Sequence, residues 1–244
     1  MRRAVASDQQ RQDPTAAIAA TAQAVYDCVM SDAKWKRVLD AGCGSACVLS
    51  FDSRTSVVGL DASPTELGLN ERLDERILGN LETHYLEAET YDAVVCWNVL
   101  EHLSRPEAAM ANVAGSLRRG GLLIIALPLA LSAKALLAKF TPLRFHIWCY
   151  RRLLGSPTAG TPGYGPYRTY MRTSIAPNWL ERSAAHLGLR LVHRSVYEIR
   201  IDDWLPHSPI LLRLWLLITA VLKRLTIGRY DPRLSDALLI FAKD

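Results

Sequence analysis

Residues 38–46 read VLDAGCGSA, and this stretch indicates the kind of fold that the chain adopts. Three strand-forming residues end in Asp40, and two glycines follow with one cysteine between them. Gly42 and Gly44 can take positive φ angles and leave room for a ligand to approach the backbone. In open α/β sheets, ligands bind beyond the carboxyl ends of the strands. The stretch therefore predicts a binding site at the end of a buried strand.

The rest of the chain alternates between short apolar runs and longer helical or loop segments. This alternation predicts βαβ units and a parallel sheet. The predicted strands lie at 38–40, 56–61, 76–80, 92–98, 122–128, 189–199 and 236–243. The predicted helices include 14–30, 177–186 and 208–225. The first of them is expected to bury one face, formed by Ile18, Ala22, Val25 and Val29.

The glycines do not by themselves identify the ligand. The nicotinamide-binding pattern GxGxxG requires a third glycine, and Cys47 stands in its place. A second carboxylate, Asp61, ends the next predicted strand about twenty residues after the glycine turn, where it can accept both hydroxyls of a ribose. Asp61 could instead cap the helix that follows it.

The five cysteines predict reduced thiols. Their number is odd and they are scattered through apolar and turn segments, which is typical of cytosolic proteins. Cys43 and Cys47 have CxxxC spacing, but no second pair of cysteine or histidine completes a zinc site. We therefore expect no metal and a cytoplasmic location.

Five stretches match one enzyme family in order and spacing. They are VLDAGCGSA (38–46), VVGLDAS (57–63), RILGNLE (76–82), YDAVVCWNVLEHLSRPEAAM (91–110) and LRRGGLLIIALP (117–128). On these residues the chain resembles the class I S-adenosylmethionine-dependent methyltransferases, in the subgroup of ubiquinone and menaquinone methyltransferases. The resemblance implies an α/β, Rossmann-like fold: a doubly wound, mostly parallel sheet of seven strands whose last strand is antiparallel, with helical insertions.

The resemblance also implies S-adenosyl-L-methionine as the cofactor and assigns residues to it. Asp40, Gly42 and Gly44 would hold its methionine and ribose end, and Asp61 would bind the ribose hydroxyls. The other cofactor-binding positions are Ala62, Asn80 and Leu81, of which the last two would flank the adenine, and Asn98, which would lie near the sulfonium. Two positions depart from the family pattern: Ala46 replaces a common glycine, and Asn80 replaces a frequent aspartate.

Three residues are candidates for catalysis. A hydroxyl acceptor needs a base to take its proton, and histidine suits that role because its pKa lies near 6.5. His102 follows the fourth predicted strand and matches an EH pair of the family, so it is the candidate base, although Glu101 and His102 could equally organise the turn. His146 and Tyr170 lie in the first insertion, where the family places substrate contacts.

Charge is distributed unevenly along the chain. Residues 1–127 carry 12 basic and 17 acidic side chains (net −5), whereas residues 128–233 carry 16 basic and 5 acidic side chains (net +11). The basic region suggests an anionic partner. Interleaved leucine and isoleucine argue against nucleic acid. An anionic membrane surface and a lid with solvated arginines are both consistent with the composition.

These observations predict a single methyltransferase domain over 1–244, with a flexible terminus at 1–13. Insertions at 129–176 and 200–234 are expected to cap the substrate site. The predicted function is methyl transfer from S-adenosylmethionine to a small lipophilic or lipid-linked acceptor, with O-methylation favoured. The alternative is a catalytically silent, methyltransferase-like module at a membrane. The predicted location is cytoplasmic, or peripheral at the inner membrane.

Overall fold

We describe the fold from a computed structural model of the chain. The structure describes residues 14–129, 132, 135, 139, 141–152, 155–161, 165–198, 209–226, 231 and 233–244. The predicted flexible terminus at 1–13 lies outside these residues.

Seven strands form one sheet in the order β3-β2-β1-β4-β5-β7-β6. Their bounds are β1 Lys36–Ala41, β2 Thr55–Asp61, β3 Glu75–Leu78, β4 Tyr91–Trp97, β5 Leu117–Pro128, β6 Leu189–Glu198 and β7 Leu234–Lys243. The pairs β1–β2, β2–β3, β1–β4 and β4–β5 are parallel. The last strand, β7, runs antiparallel between β5 and β6. The predicted fold class is confirmed.

Six helices of the described part of the chain accompany the sheet. They are α1 Pro14–Met30, α2 Pro64–Leu69, α3 Pro106–Ser116, α4 Leu143–Arg152, α5 Pro177–His186 and α6 Pro209–Leu225. Short 3-10 turns lie at Leu100–His102 and Thr173–Ile175. Because the strand order reverses between β1 and β4, the helices that follow these strands diverge and leave a crevice at the carboxyl ends.

The central strands are covered on both faces because successive side chains point to opposite sides of a sheet. Val38 faces the layer that contains α1, and the next residue, Leu39, faces the layer that contains α3 and α5. Phe241 of β7 is fully buried in the second layer. Two apolar layers therefore hold the strand ends that carry the site.

One detail of α1 differs from the sequence prediction. Ile18 and Ala22 are buried as expected, but Val29 is 45% exposed, and Tyr26 and Met30 complete the buried face instead. The ring of Tyr26 packs edge-to-face against Phe51 at 5.4 Å between centroids. The buried residues thus follow the spacing 18, 22, 26 and 30, and Val29 is exposed in the last turn of α1.

The insertions are described in part. The predicted helix at 208–225 forms as α6, although Ser208 lies outside the described residues. Of the helices described, none has both the length and the apolar content that crossing a bilayer requires. That the insertions cap the substrate site stays a prediction.

Replacing Phe241 with alanine should lower the free energy of unfolding by about 3 to 5 kcal/mol, because the vacated volume cannot be refilled in a close-packed core. Urea unfolding followed by circular dichroism measures the change. Phe145→Ala is the matched control: this phenylalanine is 43% exposed, so its loss should change stability far less. Equal losses for the two variants would contradict the packing described for the second layer.

Candidate functional site

A cavity of about 570 Å³ opens at the carboxyl ends of β1, β2 and β4. Nine of the residues singled out in the sequence line it: Gly42, Gly44, Asp61, Ala62, Asn80, Leu81, Asn98, His102 and Tyr170. They come from four strand ends and from one segment near residue 170. The sheet therefore brings together side chains that are far apart in sequence.

The glycine turn after β1 forms one wall of this cavity. Gly42 and Gly44 have φ angles of +75° and +54°. A Cβ atom on Gly42 would lie 2.5 Å from Cγ2 of Val99, whereas a Cβ atom on Gly44 would meet nothing closer than Oε2 of Glu66 at 4.0 Å. Gly42 is thus required by packing, and Gly44 leaves its backbone open to a ligand.

Asp61 is tied to this turn. Its Oδ2 accepts a hydrogen bond from the amide of Gly44 at 3.0 Å, and its Oδ1 accepts one from the amide of Ser63 at 2.8 Å. The N-cap of α2 is Ser63, whose hydroxyl accepts from the amide of Glu66 at 3.3 Å. The helix is therefore capped by Ser63, and the Asp61 carboxylate retains lone pairs that can accept hydroxyl donors.

Asp40 lies beneath the cavity and does not line it. Its side chain is buried, and burial raises the pKa of its carboxyl to about 7; the negative charge of Asp61 adds to the rise and a hydrogen bond from the Cys47 thiol opposes it. The Cys47 thiol also contacts Oδ1 of Asn70 at 3.8 Å. Burial raises the pKa of Cys47 to about 12, so this cysteine is a protonated, structural thiol.

The wall that carries Asn80 is built from the turn after β3. The Oδ1 atom of Asn80 accepts from the amide of Glu82 at 2.8 Å, and its backbone carbonyl accepts from the amide of His84 at 2.7 Å. Leu81 is buried beside it. This turn presents one amide group and one apolar side chain to the cavity.

The end of β4 supplies the wall that holds His102. Asn98 has a φ of +52°, and its amide donates to the carbonyl of Ala126 at 2.8 Å. The chain then enters the 3-10 turn, where the carbonyl of Glu101 accepts from the amide of Tyr170 at 2.8 Å. Residues 165–171 are thereby anchored beside the cavity, which Tyr167 and Tyr170 line.

His102 has a defined protonation pattern. Its Nδ1 lies 2.8 Å from the backbone carbonyl of Arg168, which can only accept, so Nδ1 carries the hydrogen. Burial lowers the pKa of His102, and the Arg168 carbonyl opposes that shift. The neutral ring then has its lone pair on Nε2, which lies 3.9 Å from Oε1 of Glu101. A neutral imidazole with an adjacent carboxylate is suited to accept a proton.

Sequence reasoning missed nine of the residues that line the cavity, and two of these, Glu66 and Tyr167, contact each other. Glu66 is buried, and its Oε1 accepts a hydrogen bond from the hydroxyl of Tyr167. Burial and this carboxylate together raise the pKa of Tyr167. The spacing of Ser63 and Glu66 is that of a capping box, which could have drawn attention to Glu66. Tyr167 lies at the end of a glycine- and proline-rich loop whose sequence shows no hydrophobic periodicity.

His146 is not part of the site. It lies on α4, its Nε2 contacts the hydroxyl of Thr141, and it does not line the cavity. Its place in the first insertion was a poor guide to its position, because among the described residues of that insertion those that line the cavity are Tyr167 and Tyr170. Among the residues that the structure describes, no cluster of three or more His, Cys, Asp or Glu side chains could hold a metal ion.

Comparisons with known proteins agree with this geometry. Residues 39–125 match the family described as "Methyltransferase domain". The chain is 29% identical over 169 residues to a "Ubiquinone biosynthesis O-methyltransferase" of Rhizobium etli, which covers 65% of this chain and 62% of the relative. The mitochondrial protein of that name from Schizosaccharomyces pombe is 30% identical over 101 residues, 37% of each chain. The chain thus spans less than two thirds of the length of these curated relatives.

Solved structures share the fold. The YcgJ protein of Bacillus subtilis superposes with a TM-score of 0.56 over 92% of this chain and 98% of that chain, at 14% identity. The [4+2]-cyclase SpnF superposes with a TM-score of 0.52 over 96% of this chain and 85% of that chain, at 17% identity.

Residues 39–125 thus match a methyltransferase domain, and the sheet around them has the fold of the class I S-adenosylmethionine-dependent methyltransferases. The resemblance that the five sequence motifs indicated is confirmed. The cavity of this methyltransferase domain fits the cofactor, because an open glycine turn adjoins a carboxylate that is already oriented by two backbone amides.

The buried carboxyl of Asp40 should make the stability of the methyltransferase domain depend on pH. A raised pKa favours the folded state while Asp40 is protonated, so this contribution is present near pH 4 and is lost as pH rises towards 7. As pH rises from 4 to 7, the free energy of unfolding of Asp40→Asn should therefore increase relative to that of the parent protein. The relative gain should reach up to about 4 kcal/mol, at 1.36 kcal/mol per pKa unit. Thermal and urea unfolding without cofactor measure the difference.

Asp52→Asn is the control for that measurement. Hydrogen bonds from Thr55 and Lys36 lower the pKa of Asp52, so its replacement should cost stability above pH 4, the opposite trend. A difference between Asp40→Asn and the parent protein that does not vary with pH would show that Asp40 is ionised throughout.

Proposed function

We propose that this protein transfers the methyl group of S-adenosylmethionine to a hydroxyl oxygen of a small lipophilic or lipid-linked acceptor. The observation that carries the proposal is the coupling of Asp61 to the amide of Gly44, beside a histidine whose Nε2 is free to accept a proton. When bound, the cofactor supplies an electrophilic methyl group on a sulfonium.

The cavity wall suits the adenosine part of the cofactor. Asp61, with two oxygens oriented by backbone amides, would accept the two ribose hydroxyls. Asn80 and Leu81 would lie along the adenine, one offering an amide and the other an apolar surface. The open backbone at Gly44 would receive the methionine part.

The charge of the cavity also suits a sulfonium. Three carboxylates, Asp61, Glu66 and Glu82, line it, and Asp40 lies beneath them. Among the described lining residues none is lysine or arginine. A cation in this partly buried site is attracted more strongly than it would be in water, because the effective dielectric constant is lower. The same lining would hold the uncharged thioether product less tightly.

His102 is the proposed base. The Arg168 carbonyl holds the hydrogen on Nδ1, so Nε2 would receive the proton of the acceptor hydroxyl as the oxygen attacks the methyl carbon in line. The imidazolium that results would lie 3.9 Å from Oε1 of Glu101, whose negative charge stabilises it. A base at this place supports an oxygen acceptor, and so does the similarity to proteins named as O-methyltransferases.

The lipophilic nature of the acceptor rests on the insertions. Tyr167 and Tyr170, both from the first insertion, place aromatic rings in the wall of the cavity. The ring of Tyr167 packs edge-to-face on His102 at 5.9 Å between centroids, which places one aromatic ring beside the proposed base. An apolar, partly aromatic enclosure favours an acceptor that leaves water readily.

Titration calorimetry tests the cofactor assignment. Asp61→Asn should weaken binding of S-adenosylmethionine by about 10- to 100-fold, because charge-assisted hydrogen bonds to two hydroxyls are lost. Asn80→Ala, which removes a neutral group, is the comparison and should have a smaller effect. Equal losses would contradict the ribose assignment. Absence of binding by the folded parent protein would favour the catalytically silent module.

Kinetics test the base. His102→Gln should lower kcat by about 10²- to 10⁴-fold and leave cofactor affinity unchanged. In the parent protein, activity should fall as pH drops through the lowered pKa of His102, below about 6.5, and this dependence should vanish in the variant.

The assay for that experiment identifies the acceptor at the same time. Isotopically labelled S-adenosylmethionine would be offered with a panel of alkylated phenols and catechols and with a bacterial lipid extract, and mass spectrometry would locate the new methyl group. Unchanged turnover in His102→Gln would remove histidine from the proton transfer. A methyl group found on carbon or nitrogen would contradict the oxygen assignment.

A further inference from the structure

The helix α6 exposes a continuous apolar stripe. Leu217, Ile218, Val221 and Leu225 recur at the spacing of one helical face, and their exposures are 62%, 44%, 47% and 75%. Thr219, on another side of the helix, is buried. Apolar surface of this extent in water is unfavourable and marks a surface that something else covers.

Two arginines border this stripe. Arg213 and Arg224 are both exposed, and they are separated by about three helical turns, which places them along the same edge of the helix beside Leu217. Lys223 points elsewhere, because its Nζ pairs with Oδ2 of Asp231 at 2.7 Å. The apolar stripe is therefore accompanied by cationic side chains that reach past it.

The helix α4 repeats this combination with aromatic residues. None of its residues is buried. Phe145 and Trp148 stack on its exposed side with centroids 6.0 Å apart and planes 20° from parallel. Arg144 and Arg152 are exposed on the same side. Tryptophan and arginine together are typical of helices that lie in the boundary between lipid headgroups and acyl chains.

The charge distinguishes between the surfaces that could cover these helices. A second copy of the chain would bring two regions of net charge +11 together, which is electrostatically unfavourable. An uncharged apolar partner would leave the arginines without anions. An anionic bilayer satisfies both features at once, since acyl chains receive the stripe and lipid phosphates receive the arginines.

We propose that α4 and α6 dock the protein on the surface of an anionic membrane, with the stripe of α6 and the Phe145–Trp148 pair inserted at the headgroup boundary. The docking lies parallel to the surface, because α6 is too short to cross a bilayer. It goes beyond the proposed methyl transfer and does not depend on it, so it is measured without any methyl donor.

Vesicle co-sedimentation tests the docking. The full chain should bind vesicles made of equal parts phosphatidylglycerol and phosphatidylcholine, and added salt should weaken the binding because the contact is partly electrostatic. Vesicles of phosphatidylcholine alone should bind it far less. Calorimetry with S-adenosylmethionine in the same preparation reports on the cofactor site separately.

Variants distinguish the apolar and the basic contributions. Leu217→Ser combined with Leu225→Ser should reduce binding to the mixed vesicles at least about tenfold, since about 0.8 kcal/mol is lost for each methylene withdrawn from the lipid. Arg213→Gln and Arg224→Gln should each reduce it roughly fivefold, and Trp148→Ser should also reduce it. The matched controls are Trp35→Ser and Arg119→Gln, which alter exposed residues outside both helices and should bind like the parent protein.

Each result bears on the proposal. Selective, salt-sensitive binding that only the α4 and α6 variants lose would support it. Failure of the folded parent protein to bind mixed vesicles, equal binding to both kinds of vesicle, or equal losses in the control variants would overturn it. A dimer in sedimentation velocity that Leu217→Ser with Leu225→Ser dissociates, without vesicle binding, would assign the stripe to a second copy of the chain.

Discussion

The architecture of the site depends on the hydrogen bond between the carboxylate of Asp61 and the amide of Gly44. It joins the ends of β1 and β2, two neighbouring strands of the parallel sheet. A second bond, from the amide of Ser63, fixes the other carboxylate oxygen. Because both oxygens are oriented before any ligand arrives, a ribose would meet acceptors that need little rearrangement, which reduces the entropic cost of binding.

Holding several carboxylates together at a partly buried place has an electrostatic cost. Asp61, Glu66 and Glu82 line the cavity, and the burial of Asp40 raises its pKa to about 7. The negative charge of Asp61 adds to that rise. A cation bound beside these carboxylates would be attracted to them, which would favour the cationic form of the cofactor over its neutral product.

The fold does not by itself determine which reaction is catalysed, since SpnF, a cyclase, has the same fold. In this chain, segment 165–171 contributes several of the contacts that shape the site. It meets the end of β4 at the Glu101 carbonyl, supplies the carbonyl that sets the tautomer of His102, and reaches Glu66 through Tyr167. One segment of the first insertion thus touches both the proposed base and the cofactor wall, so chemistry and substrate choice can change together when it changes.

Much of the fold was predictable because it is encoded locally. Each apolar run between 38 and 128 predicted a strand, and the glycine turn with a carboxylate about twenty residues later predicted a ligand at the ends of the first two strands. Such patterns can be recognised in a sequence because a strand alternates its side chains between two faces and a tight turn requires glycine. Both requirements hold regardless of the tertiary contacts of the segment. The residues that depend on how a helix end packs or on the path of a long loop were not predictable in this way.

Val29 and His146 illustrate that limit. Val29 has the spacing of a buried residue, yet it is 45% exposed in the last turn of α1. His146 shares an insertion with Tyr170 but lies on α4, outside the cavity. Local periodicity and turn chemistry in the sequence thus determined the sheet and its glycine turn. Tertiary packing alone decided that Asp40 lies beneath the cavity and that Glu66 meets Tyr167, because contacts between distant segments depend on how whole layers pack.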